Sequence, residues 1–205
     1  MEIIGAYFVI EDEIDYGKMI KNIERYGRTC YKSEEKITAD SAEKFIRGII
    51  KSGHESVIEH EKVTVRIICD RGVTHEIVRH RLASYSQEST RYCDYNKKGV
   101  LVIYPIFFAN SLEKYAIWEK AMLAAEQAYN DLIKLGASPQ EARTVLPNSL
   151  KTEIVVTYNL REWRHFFRLR TSKKAHPQMR EISVPLCRKF KEVMPVFFED
   201  IVIEE

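Results

Sequence analysis

A chain of 205 residues, 45% hydrophobic and 30% charged, is long enough to bury one substantial core and too apolar for a disordered segment. Its formal net charge of +2 gives no global bias toward polyanions. No run approaches the roughly 18 apolar residues that a membrane span requires. One globular domain over residues 1–205 is the expectation. The first ten residues lack a basic stretch followed by a long apolar one, so a cytoplasmic protein is expected. Cys30, Cys69, Cys93 and Cys187 lie far apart with no CxxC, which suits reduced thiols.

In chain order, Ile3 to Ile10 is apolar and reads as a strand, and Tyr16 to Tyr26 as a helix. A clearer helix runs from Ser41 to Ser52, with Phe45, Ile46, Ile49 and Ile50 on one face and Gly53 as its stop. Glu61 to Cys69 alternates, so Val63, Val65, Ile67 and Cys69 share the buried face of a strand. Arg71 to Arg81 reads as a short helix, and Ala83 to Lys98 as an irregular polar loop. Val100 to Tyr104 is a strand ended by Pro105. Asn110, with Glu113 as its capping partner, starts the longest helix, which stops at Gly136. Ser138-Pro139 with Glu141 opens a short helix. Glu153 to Tyr158 is a strand, Asn159 and Glu162 cap a helix reaching Arg170, and a last helix from Pro177 to Val193 contains Pro185. The elements lack β-α-β spacing, so the fold class expected is α+β, with a mixed or antiparallel sheet and packed helices.

The chain has no GxGxxG after a strand, no GxxxxGK[ST] and no GxSxG, and it holds only 8 glycines. His54 and His60 are six residues apart, which points them to opposite sides of a helix, so no metal site is expected. From Asn159 to Lys191 there are ten Lys or Arg against two Glu, a local surface suited to an anion, whereas acidic residues such as Glu11, Asp12, Glu199 and Asp200 gather near the ends.

Two segments carry chemistry. Arg79, His80 and Arg81 fan around a helix at about 100° per residue, with His80 on the side of Val73 and Ile77. Behind them comes a loop of hydroxyls and amides, Ser84 to Tyr92. Helix-dipole complementarity accounts for one or two of these charges but not for that loop. In the second segment Arg161, Arg164, His165 and Arg168 share one helical face, and Trp163, Phe166 and Phe167 the opposite, core-facing one. Arg170 falls within the aromatic stripe. A guanidinium there either escapes to water at the helix end or reaches a buried site and binds a planar acceptor by two parallel hydrogen bonds.

Arg79-His80-Arg81, then seven residues, then Ser89, resembles the signature of the flavin-dependent thymidylate synthases. Gly53-His54-Glu55-Ser56 with Glu59-His60, Ala142-Arg143 before Val145-Leu146-Pro147, and Leu169-Arg170 with His176 match in order. The resemblance covers roughly positions 25 to 195. It implies conversion of deoxyuridylate to thymidylate, with methylenetetrahydrofolate as carbon donor, NADPH as reductant and FAD as hydride carrier. It further implies a homotetramer with active sites where subunits meet.

Carried over by position, the resemblance implies that Glu76, Arg79, Gln87, Glu88, Ser89, Thr90, Arg91 and Arg143 hold deoxyuridylate, with Arg91 and Arg143 on its phosphate. Arg170, the implied catalytic residue, faces the pyrimidine, where a cation favours loss of the N3 proton. Ser56, Arg79, His80, Arg81, Gln87, Asn159, Arg161 and His165 meet FAD, and His54 lines the folate or nicotinamide entrance. Ser89, with Arg91 nearby and no base, is a phosphate or ribose contact in preference to a nucleophile. The chain departs from the family at Glu76, where many members carry glutamine, at Gln87, where some carry glutamate, and at His165, where some carry asparagine. The rival classes are a nucleic-acid-binding module on the basic 159–191 region, disfavoured because its aromatics lie on the other face, and a different flavoprotein.

Overall fold

The computed structural model describes residues 1–204, with the backbone alone described at position 98. Its elements in chain order are β1 (Glu2–Ile4), β2 (Tyr7–Ile10), α1 (Tyr16–Thr29), α2 (Ser41–Lys51), β3 (Lys62–Asp70), α3 (Arg71–Ile77), β4 (Ala83–Gln87), α4 (Tyr95–Lys98), β5 (Leu101–Ile103), α5 (Leu112–Lys134), α6 (Pro139–Ala142), β6 (Lys151–Asn159), α7 (Leu160–Arg170), α8 (Pro177–Val193) and α9 (Pro195–Phe198). Short 3-10 segments join several of them, including Glu55–His60 and Arg143–Val145. β1 pairs in parallel with β5, and a second sheet has the order β2-β3-β6-β4. This is the α+β class that the pattern of elements implied. Among the described residues no helix is long and apolar enough to cross a membrane.

The chain divides into two compact units. One comprises Met1–Phe8, Arg66–Arg79 and Tyr85–Val155; the other comprises Val9–Val65, His80–Ser84 and the residues from Val156 onward. The core of the first is built from Val100, Val102, Tyr129, Ala142 and Leu150, with Met122 and Tyr95 at its margin. α5 starts one residue later than the sequence suggested: the Ser111 hydroxyl, not Asn110, accepts from the Lys114 amide. It ends before Gly136, whose φ of 92° is accessible to glycine without strain. The capping box of α6 forms as expected, with Glu141 accepting from the Ser138 amide at 2.8 Å.

Aromatic packing dominates the second unit. Trp163, Phe166, Phe167, Phe190, Phe197 and Phe198 are fully buried, and the Trp163 and Phe167 rings stack with centroids 5.6 Å apart. The Trp163 indole still finds a partner, donating to the Val63 carbonyl at 2.9 Å. α1 and α2 approach closely because Gly27 presents no side chain: a Cβ there would lie 2.5 Å from the Phe45 ring. Arg28 covers the same ring at 4.7 Å and pairs with the buried Glu24. Asp15 caps α1 by accepting from the Lys18 amide at 2.9 Å. Asp15→Ala is expected to cost about 1 kcal/mol and lower the thermal midpoint by roughly 2–4 °C, measured by circular dichroism.

Several expected boundaries change. The strand expected over Ile3 to Ile10 breaks at Gly5-Ala6 into β1 and β2. The helix expected to reach Arg81 stops at Ile77. Continuing it would set Arg81 four residues from buried Ile77 on the same face; stopping leaves Arg81 exposed. The expected loop from Ala83 to Lys98 contains strand β4 and one-turn helix α4. β4 alternates exposed Ser84 and Ser86 with half-buried Ala83, Tyr85 and Gln87, a pattern too polar to announce a strand. α9 begins at Pro195, at a point where the sequence reading placed no element.

Candidate active site

In the first unit the residues expected to hold a nucleotide fall on β4 and the turn after it, joined by Arg143 from the segment following α6. Gln87 donates from its amide to the Thr74 hydroxyl at 3.0 Å and to the Thr152 hydroxyl at 3.2 Å. Arg143 donates to the buried Thr90 hydroxyl at 3.3 Å. Arg91 lies over the Tyr92 ring and donates to Gln140 at 3.4 Å. Ser89 is half-buried, and its hydroxyl accepts from the Arg91 amide at 3.3 Å. Arg79 is exposed, and Glu76 is half-buried.

Glu88 turns to a different set of partners. It accepts from the Tyr95 hydroxyl and from the Lys151 ammonium, both at 2.8 Å. Burial and then the Glu88 carboxylate push the Tyr95 phenol above its usual range. For Lys151, burial opposes the charge, but Glu88 and Glu153 together hold its pKa above the usual value. These groups, with Arg66 paired to Glu153, line a cavity of about 770 Å³ that also touches Gln87, Tyr92 and Cys93. That volume lies within the range of small-molecule sites. Tyr95, Lys151, Arg66 and Glu153 carried no signal in the sequence, because their partners lie on other elements.

In the second unit the site forms around α7. Asn159 ends β6 and caps α7, its side-chain oxygen accepting from the Glu162 amide at 2.8 Å. Arg161 is exposed and pairs with Glu59 at 2.6 Å. His165, Ser56 and Arg81 are exposed as well. Arg164 is not part of a basic outer face, as its position on the wheel suggested. It is fully buried and bonds Asp200 with two nitrogens at 2.6 Å each, Glu55 at 3.2 Å and the Phe197 carbonyl. Arg168 is exposed and shares Glu55 at 2.8 Å. Much of the cationic character of the 159–191 region is thus spent on internal partners.

His80 and Arg170 meet. His80 is 4% exposed despite lying beyond the end of α3. Its Nδ1 lies 3.1 Å from Glu162 Oε1, and Arg170 Nε donates to its Nε2 at 3.1 Å. A guanidinium only donates, so Nε2 accepts, and the imidazole proton is assigned to Nδ1, facing Glu162. Burial holds the Glu162 carboxyl above its ordinary range, against the pull of His165 and Arg161. Arg170 thereby takes neither extreme that the sequence left open: it is half-buried, and its Nε is anchored inside. The possible ligand atoms of His80, Glu162 and His165 lie within 4.8 Å of one another. Glu162 entered the sequence reading only as a capping partner, and its contact with a histidine 82 positions away was not readable locally.

Comparison with known proteins gives a consistent result. The family model described as "Thymidylate synthase complementing protein" matches residues 14–196. A flavin-dependent thymidylate synthase of Geobacter sulfurreducens is 38% identical over 180 residues, covering 84% of this chain and 78% of the relative. One from Pyrococcus furiosus is 38% identical over 164 residues, covering 78% and 67%. A UMP/dUMP methylase, PolB from Streptomyces cacaoi, crystallised with 5-Br dUMP, shares the fold with a TM-score of 0.79 at 24% identity, covering 97% of this chain and 96% of that one. With a match that runs from just before α1 into α9, the chain belongs to the thymidylate synthase complementing protein family.

Proposed function

We propose that this chain is a flavin-dependent thymidylate synthase, which converts dUMP to dTMP. The observation that best supports this reading is the anchored Arg170: its Nε–H is taken up by the buried His80 imidazole, which holds a planar guanidinium in the site. A guanidinium facing the pyrimidine stabilises the negative charge that develops when N3 loses its proton. Arg91 and Arg143 are the donors for the nucleotide phosphate. Gln87, Ser89 and Thr90 supply amide and hydroxyl groups for the base and ribose, with Glu76, Arg79 and Glu88 beside them. Glu88 would first have to part from Tyr95 or Lys151.

The second-unit groups fit FAD by their chemistry. Exposed Arg81, Arg161 and His165 suit a diphosphate, and the Ser56 hydroxyl and the Asn159 amide nitrogen add neutral donors. Arg79 and Gln87 complete the set expected for the flavin. His80 meets FAD by its ring face or edge, since both its nitrogens are engaged. FAD supplies the hydride chemistry; the protein supplies placement and charge. NADPH as the reductant, methylenetetrahydrofolate as the carbon donor, a homotetramer and a cytoplasmic location belong to the same reading.

The test is direct. The purified protein should be yellow with flavin absorbance. With NADPH, methylenetetrahydrofolate and dUMP tritiated at C5, it should release tritium to water as thymidylate forms. A yellow protein that reduces flavin but releases no tritium would leave a flavoprotein of another activity.

A further inference from the structure

We infer that Thr74 and Thr152 are positioning residues for Gln87, fixing its amide so that the oxygen end, and not the nitrogen end, meets the nucleotide. This rests on the reading of Gln87 as a contact for dUMP. All three residues belong to the first unit. The Gln87 amide nitrogen donates to the Thr74 hydroxyl at 3.0 Å and to the Thr152 hydroxyl at 3.2 Å, so both of its hydrogens are used.

The two ends of an amide have nearly the same shape, and the hydrogen bonds around it decide which is which. Thr152 does not decide alone, because a hydroxyl can donate or accept. Thr74 does. Its single proton goes to the Arg71 carbonyl at 2.8 Å. Toward Gln87 it can only accept, so the atom opposite it is the amide nitrogen. In the reversed amide two oxygens would face each other there, unless Thr74 gave up Arg71.

The hydroxyls themselves carry a cost. Both threonines are fully buried, and Thr152 lies two residues before Ile154 on the buried face of β6. Valine has nearly the same volume and brings no polar group to satisfy, so a threonine at each place is accounted for by the bond it makes. Gln87 is half-buried and so remains within reach of a ligand. Held this way, it offers what a glutamate would, an oxygen acceptor, but without the charge.

An acceptor selects a donor. At neutral pH dUMP carries two, the N3–H of the base and the 3′-hydroxyl of the sugar. In the proposed reading N3 faces Arg170, so the 3′-hydroxyl is the donor for Gln87 Oε1.

The experiment measures dissociation constants of the FAD-loaded protein for 3′-amino- and 3′-fluoro-2′,3′-dideoxyuridylate beside dUMP. The amino group can donate; the fluorine cannot. The parent should bind the amino analogue about tenfold more tightly than the fluoro analogue, and Gln87→Ala should lose that preference. Thr74→Val combined with Thr152→Val releases the amide to present either end, so the preference should collapse toward one. Thr74→Ser, which keeps the hydroxyl, should retain it. Nitrogen-15 spectra should show one side-chain amide, identified by its loss in Gln87→Ala, whose protons exchange slowly with solvent in the parent and at least tenfold faster in the double valine variant.

An unchanged preference in the double valine variant overturns the proposal, whatever happens to the thermal midpoint, because a merely structural pair of threonines would move stability alone. Unchanged amide exchange in that variant overturns it as well. A parent that shows no preference, with slow exchange that still depends on the threonines, overturns the ribose contact but not the orientation of the amide. A parent that binds none of the three nucleotides is a failure of the dUMP reading itself, and it removes the ribose contact with it.

Discussion

Arg170→Ala should reduce thymidylate formation by about 10³-fold and fail to restore growth of a thymidine-requiring bacterium that the parent chain rescues. The magnitude follows from what is removed. A preorganised donor aimed at developing charge in a site sheltered from water typically contributes two to three powers of ten. The loss should fall mainly on turnover, since the charge on the pyrimidine is larger in the transition state than in bound dUMP. The fold should survive: Arg170 is only half-buried, and Ser183 bonds its main chain, which alanine retains. Arg170→Lys should recover little, because an ammonium keeps the charge but neither the fork nor the Nε–H that His80 accepts. Rescue by the alanine variant would exclude Arg170 from the mechanism.

The largest effect on stability is expected at Arg164. Its guanidinium is fully buried and is surrounded by Asp200, Glu55 and the Phe197 carbonyl. Arg164→Met fills much of the volume but leaves Arg168 as the remaining cation beside Asp200 and Glu55 among the described residues, and the carbonyl without its Arg164 donor. Removing one partner of a buried charged cluster costs about 3–5 kcal/mol, which for a chain of this size lowers the thermal midpoint by roughly 6–20 °C. Asp200→Asn should cost less, since the Asp200 side chain is 45% exposed.

The same cluster sets a dependence on pH. Burial alone would raise the Asp200 carboxyl, but Arg164 outweighs it and holds it below the usual carboxylate range; Glu55 behaves likewise, lowered by Arg168 and Arg164 against burial. A carboxyl lowered in the folded state stabilises the fold fully above its unfolded value, near 4, and loses that contribution as pH falls through the folded value. The gap between parent and Arg164→Met should therefore be widest near neutrality and shrink below about pH 4. Urea denaturation at pH 7 and at acid pH measures it. A gap that widened on acidification would contradict the assignment.

The sequence was most legible where a local rule decides the outcome. α2, β3, α6 and α7 follow from periodicity and caps and appear close to their expected limits. It was less legible where distant partners decide. Arg164 sat on a wheel face with two other cations, and only Asp200, 36 positions on, explains why it turns inward. β4 is built from serines and glutamine, and it becomes a strand because β6 stands beside it. His80 was expected inside a helix and lies beyond its end, yet its burial was anticipated from the apolar side it was assigned. Of the candidate site, the residue types were readable from the motif; the Glu162–His80–Arg170 line was not, because its members are 82 and 90 positions apart.

The absent side chain of Gly27 acts at a distance. Because α1 can rest directly against the Phe45 ring, α2 is delivered at a fixed depth, and two residues after it ends the chain reverses at Gly53 and presents Glu55. That carboxylate reaches both Arg164 and Arg168. A single hydrogen atom on α1 thus works as a spacer that sets where a counter-ion for α7 arrives. Any bulk at position 27 would be felt by arginines that never touch it.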